Sequence, residues 1–147
     1  MTPEPAAAPP TLDALQAVLA GEHACVYGYG LLGPFAAPGD EAAVRTAYDW
    51  HRAARDELSV QVRARSADPV AALPGYAVPF PVADRTAARR LAGLLERRLA
   101  PLYADLVAAA ANRTLREWTA QALMQTAVRA AHWTADTPAL PGLDPPS

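Results

Sequence analysis

The stretch from residue 11 to 33, TLDALQAVLAGEHACVYGYGLLG, places Leu12, Leu15, Leu19, Val26, Tyr29 and Gly33 in steps of three, four and seven. That spacing draws one apolar stripe along an α-helix, the seam by which a bundle helix packs. Thr11 is placed to cap the first turn, Asp13 suits the positive N-terminal end, and Pro34 stops the helix, which is predicted over 12–33. Glu22 continues the same seam, so its carboxylate is aimed into the bundle.

Working outward, Asp40 is a candidate cap for a second helix over 41–65, with Val44, Ala47, Ala54, Leu58 and Gln61 on its seam. Residues 67–83 contain Pro69, Pro74, Pro79 and Pro81 with Tyr76, Val78, Phe80 and Val82 between them. This is too proline-rich for a helix and too apolar for a free linker, and predicts an extended crossover lying against the bundle. Asp84 then caps a third helix whose Ala88, Leu91, Leu95, Leu99, Leu102 and Leu106 form the richest apolar stripe in the chain. A fourth helix, over 114–134, carries Leu115, Trp118, Leu123, Met124, Val128 and Trp133, with an alanine-rich surface for close approach. Two helices, a long crossing connection, then two helices joined by a short turn give an all-α, ferritin-like four-helix bundle.

Composition agrees. The hydrophobic residues are dominated by alanine and aromatics make up only 7%, which favours helices over sheets. A length of 147 residues suits one domain, expected over 11–136, between proline-rich tails at 1–10 and 137–147. The 13 basic residues are all arginine and are outnumbered by 15 acidic ones, so the net charge of −2 gives no footprint for nucleic acid. Cys25 has no partner for an internal disulfide, and the start lacks a basic n-region and an apolar h-region. A cytoplasmic protein with no membrane partner is expected.

Several blocks carry a family resemblance: Leu15-Gln16-Ala17, Gly21-Glu22-His23-Ala24, Tyr27-Gly28-Tyr29-Gly30, His51-Arg52, Arg55-Asp56-Glu57-Leu58, and Tyr76 through Val82. Over residues 12–134 they resemble an actinobacterial family classed as ferritin-like and of unknown function. The resemblance implies the fold and leaves the activity open.

His51 lies on the second seam between Ala47 and Ala54, facing the same interior as Glu22. A carboxylate and an imidazole on facing helices suit iron or manganese. A di-metal bundle, however, needs a Glu from each of two helices and a Glu-x-x-His from each of the others, and no Glu-x-x-His occurs in this chain. Tyr48 stands three before His51, and Ala120 three after Glu117. Glu117 follows Thr114 at the spacing of a capping box, and Glu96 flanks the leucine stripe beside Arg97 and Arg98, where a solvated position is expected. The metal reading would use Glu22, His51, Glu96 and Glu117. The rival is an internal ion pair: Arg55, one turn after His51, would place its guanidinium where a metal would sit and bond Glu22. A core cluster of Glu22, His51 and Arg55 is therefore expected, or else Arg55 leaves Asp56 to an exposed pair with Arg52. His23 and His132 read as interface and helix-terminus residues.

Gly28-Tyr29-Gly30-Leu31-Leu32-Gly33 spells the dinucleotide fingerprint G-x-G-x-x-G, but a helical seam precedes it and Pro34 follows, so close helix packing explains the glycines better. The arginines of the third helix lack interleaved aromatics and read as a solvated face. No Ser-His-Asp grouping stands in a recognisable context. The expectation is a non-catalytic scaffold or interaction domain, self-associating as a homodimer, with a degenerate metal site and no cofactor. The alternative is an iron or manganese protein with oxygen or peroxide chemistry. A third possibility is a binder of a small apolar ligand near Tyr27, Tyr48 and Phe80.

Overall fold

The computed structural model describes residues 10–135. The expected proline-rich tails lie outside the described residues, except for Pro10. Four helices follow one another: α1 (Pro10–Leu32), α2 (Glu41–Arg63), α3 (Arg85–Ala109) and α4 (Arg113–Thr134), with a 3-10 turn at Gly33–Phe35 after α1. No strand occurs among the described residues, and no helix among them is long and apolar enough to cross a membrane.

Local chemistry sets the helix ends, sometimes by residues other than those expected. Pro10 opens α1, where its missing N–H costs nothing. Thr11 lies inside the helix, and its hydroxyl donates to the Ala109 carbonyl, joining the start of α1 to the end of α3. Asp84 caps α3 as expected, accepting from the Ala87 N–H at 2.8 Å. Asn112, not Thr114, caps α4 by accepting from the Leu115 N–H at 2.9 Å. Glu117 is thereby left on the surface, where it takes the Arg113 Nε at 2.6 Å. Asp40 stands at the N-cap of α2, where its carbonyl accepts from the Val44 N–H but its side chain makes no cap bond; its carboxylate takes Arg89 instead.

The apolar core falls into two clusters. Leu15, Leu19, Leu58, Leu99 and Leu106 belong to one, and Tyr29, Leu32, Val44, Leu91 and Trp133 to the other. Along α2 and α3, His51 and Glu96 stand between the residues of the two clusters. Glycines bring α1 against α3. A Cβ at Gly28 would stand 2.5 Å from Leu95 Cδ1, and one at Gly21 would stand 2.9 Å from the δ carbons of Leu99 and Leu102. Gly30, by contrast, faces open space. The G-x-G-x-x-G run thus sits in the last turns of α1 and the 3-10 turn, with no strand before it.

Residues 67–83 form neither helix nor strand, and Val78, Phe80 and Val82 pack half-buried against the Tyr29–Trp133 cluster. Gln16 of α1 tethers this segment from both ends of its amide. Its Nε2 donates to the Asp68 carbonyl at 2.7 Å and its Oε1 accepts from the Val70 N–H at 2.8 Å.

Helix α4 is rotated from the expected face. Its buried residues are Leu115, Thr119, Ala122, Thr126 and Trp133, whereas Met124 and Val128 are 62% and 64% exposed. The threonines can face the core because each satisfies its own hydroxyl, Thr119 donating to the Leu115 carbonyl at 2.7 Å and Thr126 to the Ala122 carbonyl at 2.8 Å. A stripe counted from apolar residues alone misses such groups. Two substitutions separate the core from this exposed face of α4: Leu106→Ala on α3 is expected to cost about 2–5 kcal/mol in urea denaturation, and Met124→Ala on α4 to stay within about 0.5 kcal/mol of the parent.

A buried carboxylate and histidine network as the candidate site

Three charged side chains meet at the centre of the bundle with no exposed surface: Glu22 of α1, His51 of α2 and Glu96 of α3. Each comes from the inward seam of its helix. His51 Nδ1 bonds Glu22 Oε2 at 2.6 Å, and His51 Nε2 bonds Glu96 Oε1 at 2.8 Å. An imidazole can serve two carboxylates at once only by donating from both nitrogens, which is the protonated form. Burial works against that charge, but hydrogen bonds to Glu22 and Glu96 and then their charges outweigh it, holding the His51 pKa above its ordinary 6.5.

The fourth member comes from α4. Arg129 Nε donates to Glu96 Oε1 at 3.0 Å, its guanidinium lying 4.0 Å over the Trp50 ring. Burial opposes ionisation of Glu96, yet the His51 hydrogen bond and charge, with Arg129 and Tyr29 behind them, pull its pKa below 4.5. Two carboxylates and two cations make a buried group with no net charge.

Aromatic hydroxyls complete the network. Tyr103 donates to Glu22 Oε1 at 2.6 Å, Tyr29 donates to Glu96 Oε1 at 2.6 Å, and Trp133 Nε1 donates to the Tyr29 hydroxyl at 2.8 Å. Burial and the nearby carboxylates raise the pKa of both tyrosines, so they remain donors. The hydrogen bonds form one chain from Trp133 through Tyr29, Glu96, His51 and Glu22 to Tyr103. Glu96 Oε2 alone has no partner among the described residues.

The expected residues divide. Glu22 and His51 meet in the core. Arg55 does not join them: its side chain is 28% exposed and pairs with Asp56 at 2.8 Å, because α2 turns it off the His51 face. The inward arginine is Arg129, which the sequence reading passed over. Glu96, expected on a solvated flank, is fully buried, while Glu117 is 63% exposed in its pair with Arg113 and cannot reach the cluster. His23 bonds the Val70 carbonyl at 2.9 Å at the bundle edge. Tyr103 carried a usable signal, four residues after Leu99 and three before Leu106 of the expected α3 stripe, whereas Arg129 carried none, because the burial of Thr126 one turn before it follows from the α4 rotation.

A family model described as a domain of unknown function, DUF4439, matches residues 14–145. The chain belongs to that family. A solved structure, of a conserved hypothetical protein, rv2844, from Mycobacterium tuberculosis, is 34% identical to it. That likeness covers 84% of this chain and 94% of the other, with a TM-score of 0.81. No curated protein matches the chain.

A di-metal centre does not fit the residues that this DUF4439 domain presents. Both nitrogens of His51 are engaged by carboxylates, and among the described residues only two carboxylates stand at the centre, each already balanced by a cation. Glu22, Cys25 and His51 do bring ligand atoms within 4.8 Å of one another. Burial, and then the charges of Glu22 and Glu96, raise the Cys25 pKa well above its usual value and keep it a thiol in the metal-free protein.

The pKa directions fix how DUF4439 stability responds to pH. The His51 contribution, from a raised pKa, is complete below 6.5 and is lost as pH rises through its folded value. The Glu96 contribution, from a lowered pKa, is complete above 4.5 and is lost as pH falls through its folded value. The network's contribution is therefore expected to peak between 4.5 and 6.5 and decline on both sides. Urea denaturation across pH should show this, and His51→Gln should lose about 3–5 kcal/mol at the peak together with the alkaline decline.

Proposed function

We propose that this domain is a ferritin-like bundle, of the actinobacterial kind its sequence resembles, whose metal centre has become a protein-only charge network. It acts as a non-catalytic scaffold or interaction domain. The observation that carries this reading is His51 held between Glu22 and Glu96 by both ring nitrogens, an imidazolium in the place where a bundle would hold a cation.

The positions support the comparison. A di-metal bundle takes one Glu from each of two helices and a Glu-x-x-His from each of the other two. Here α1 and α3 supply Glu22 and Glu96, α2 supplies Tyr48-x-x-His51, and α4 supplies Thr126-x-x-Arg129. Both glutamates of the paired motifs are replaced, and an arginine stands for the second histidine. Losing two carboxylates while gaining a guanidinium changes the centre from one that requires cations to one that is neutral without them. With Met124 and Val128 exposed on α4, that helix offers an apolar face for the expected homodimer.

The alternative, an iron or manganese protein, is separated by elemental mass spectrometry on untagged protein before and after anaerobic loading with iron or manganese. The parent is expected to stay metal-free, and a variant carrying Tyr48→Glu, Thr126→Glu and Arg129→His to gain near-stoichiometric metal. Stoichiometric metal in the parent, lost in His51→Ala, would sink the scaffold reading.

A further inference from the structure

The start of α3 carries positive charge where a helix least favours it. Arg85, Arg89 and Arg90 lie in its first two turns, and no acidic residue falls in the first turn. The helix dipole is positive there, and Arg85 and Arg89 also repel each other four residues apart. Asp84 is turned to its own helix, accepting from the Ala87 N–H. With Arg97, these three arginines line an open cavity of about 520 Å³ between the start of α3, the entry to α2 and the end of α4. Four of the chain's 13 basic residues thus meet in one place, in a chain of net charge −2.

One arginine is fixed by protein. Arg89 Nη1 reaches both Asp40 oxygens at 3.0 and 3.1 Å, its Nη2 donates to the His132 carbonyl at 2.7 Å, and its guanidinium lies 5.4 Å over the Trp133 ring. The other three have no carboxylate partner among the described residues. Asp40 balances one charge of the four and Asp84 stands at the N-cap directly before Arg85, which leaves a local excess of 4 − 2 = 2 among the described residues. Arg90 stacks on Phe80 at 4.2 Å, an arrangement that keeps the N–H edge of a guanidinium open. Arg97 folds back along α3 so that its Nη1 would stand 3.1 Å from a Cβ at Gly93, and glycine there keeps the floor of the cavity clear.

We propose that this cavity binds a small phosphate ester. Guanidinium forks match phosphate oxygens in pairs, and an excess of two positive charges suits a dianion better than a single carboxylate. The volume falls in the range of small-molecule sites, and Trp133 supplies an apolar wall for the body of the ligand. An anion seated there would relieve the arginine repulsion. The site meets the buried network at Trp133 and does not depend on the scaffold reading.

The test is calorimetric titration of the full chain, in low-salt buffer free of phosphate and sulfate, with glucose 6-phosphate, inorganic phosphate, glucose and a single-stranded oligonucleotide. Glucose 6-phosphate is expected to bind one to one and more tightly than inorganic phosphate, with no heat from glucose. Arg85→Gln and Arg97→Gln should each weaken it about tenfold, the loss of one charge-assisted hydrogen bond. Their unliganded Tm should be unchanged or higher, because each removes a repelling charge. No saturable heat with glucose 6-phosphate at about 10 mM would overturn the proposal. So would affinity unmoved in both variants, a lower Tm in both, binding of inorganic phosphate as tight as that of the ester, or preference for the oligonucleotide.

Discussion

The protonated imidazole of His51 is the constraint on which the rest of the core depends. Two carboxylates without exposed surface need a counter-charge, and the imidazolium supplies it from between them. Glu22 then places α1, Glu96 places α3, and Arg129 carries the same group of charges to α4. A shift of any one helix by a residue would leave a buried charge unpaired, at a cost of about 3–5 kcal/mol. The leucine stripes alone would tolerate several registers. The network selects among them.

The part of this fold that was legible in sequence was the part written in apolar residues. The α2 seam holds from Val44 through Leu58, with burial passing from the expected Gln61 to Val62 beside it. The α3 stripe holds at Ala88, Leu91, Leu99 and Leu106, while Leu95 and Leu102 are half-buried and Glu96 and Tyr103 take full burial beside them. Polarity misled the reading where a polar side chain supplies its own partner. Thr119 and Thr126 bury by bonding within α4, so counting apolar residues turned that helix toward Met124 and Val128. The choice of arginine failed for a related reason. Arg55 is near His51 in sequence, but Arg129 is near it in space, and spacing within one helix says nothing about what the facing helix supplies.

The interior of α1 and α3 is closed differently. Gly21 and Gly28 let the leucines of α3 lie directly on the α1 backbone, and Thr11 ties the two helix ends together. This leaves α1 and α3 as a tight central pair. Helix α2 packs on α1, and helix α4 packs on α3. The outer helices are thus placed mainly by separate partners and not by one another.

That arrangement gives the buried charges a structural reason to persist. Between α2 and α4 runs a groove of about 650 Å³, with Trp50 on one side and Arg129 on the other. Arg129 spans it, its guanidinium on the Trp50 face and its Nε on Glu96, which in turn holds His51 of α2. A polar chain therefore does between α2 and α4 what α3 leucines seated on Gly21 and Gly28 do between α1 and α3. Apolar replacement of a buried ion group is often neutral or stabilising when the new side chains fill the same space. Here they would also have to close the groove that the long arginine side chain bridges. Replacing the charges without moving the helices would leave α2 and α4 without their main link.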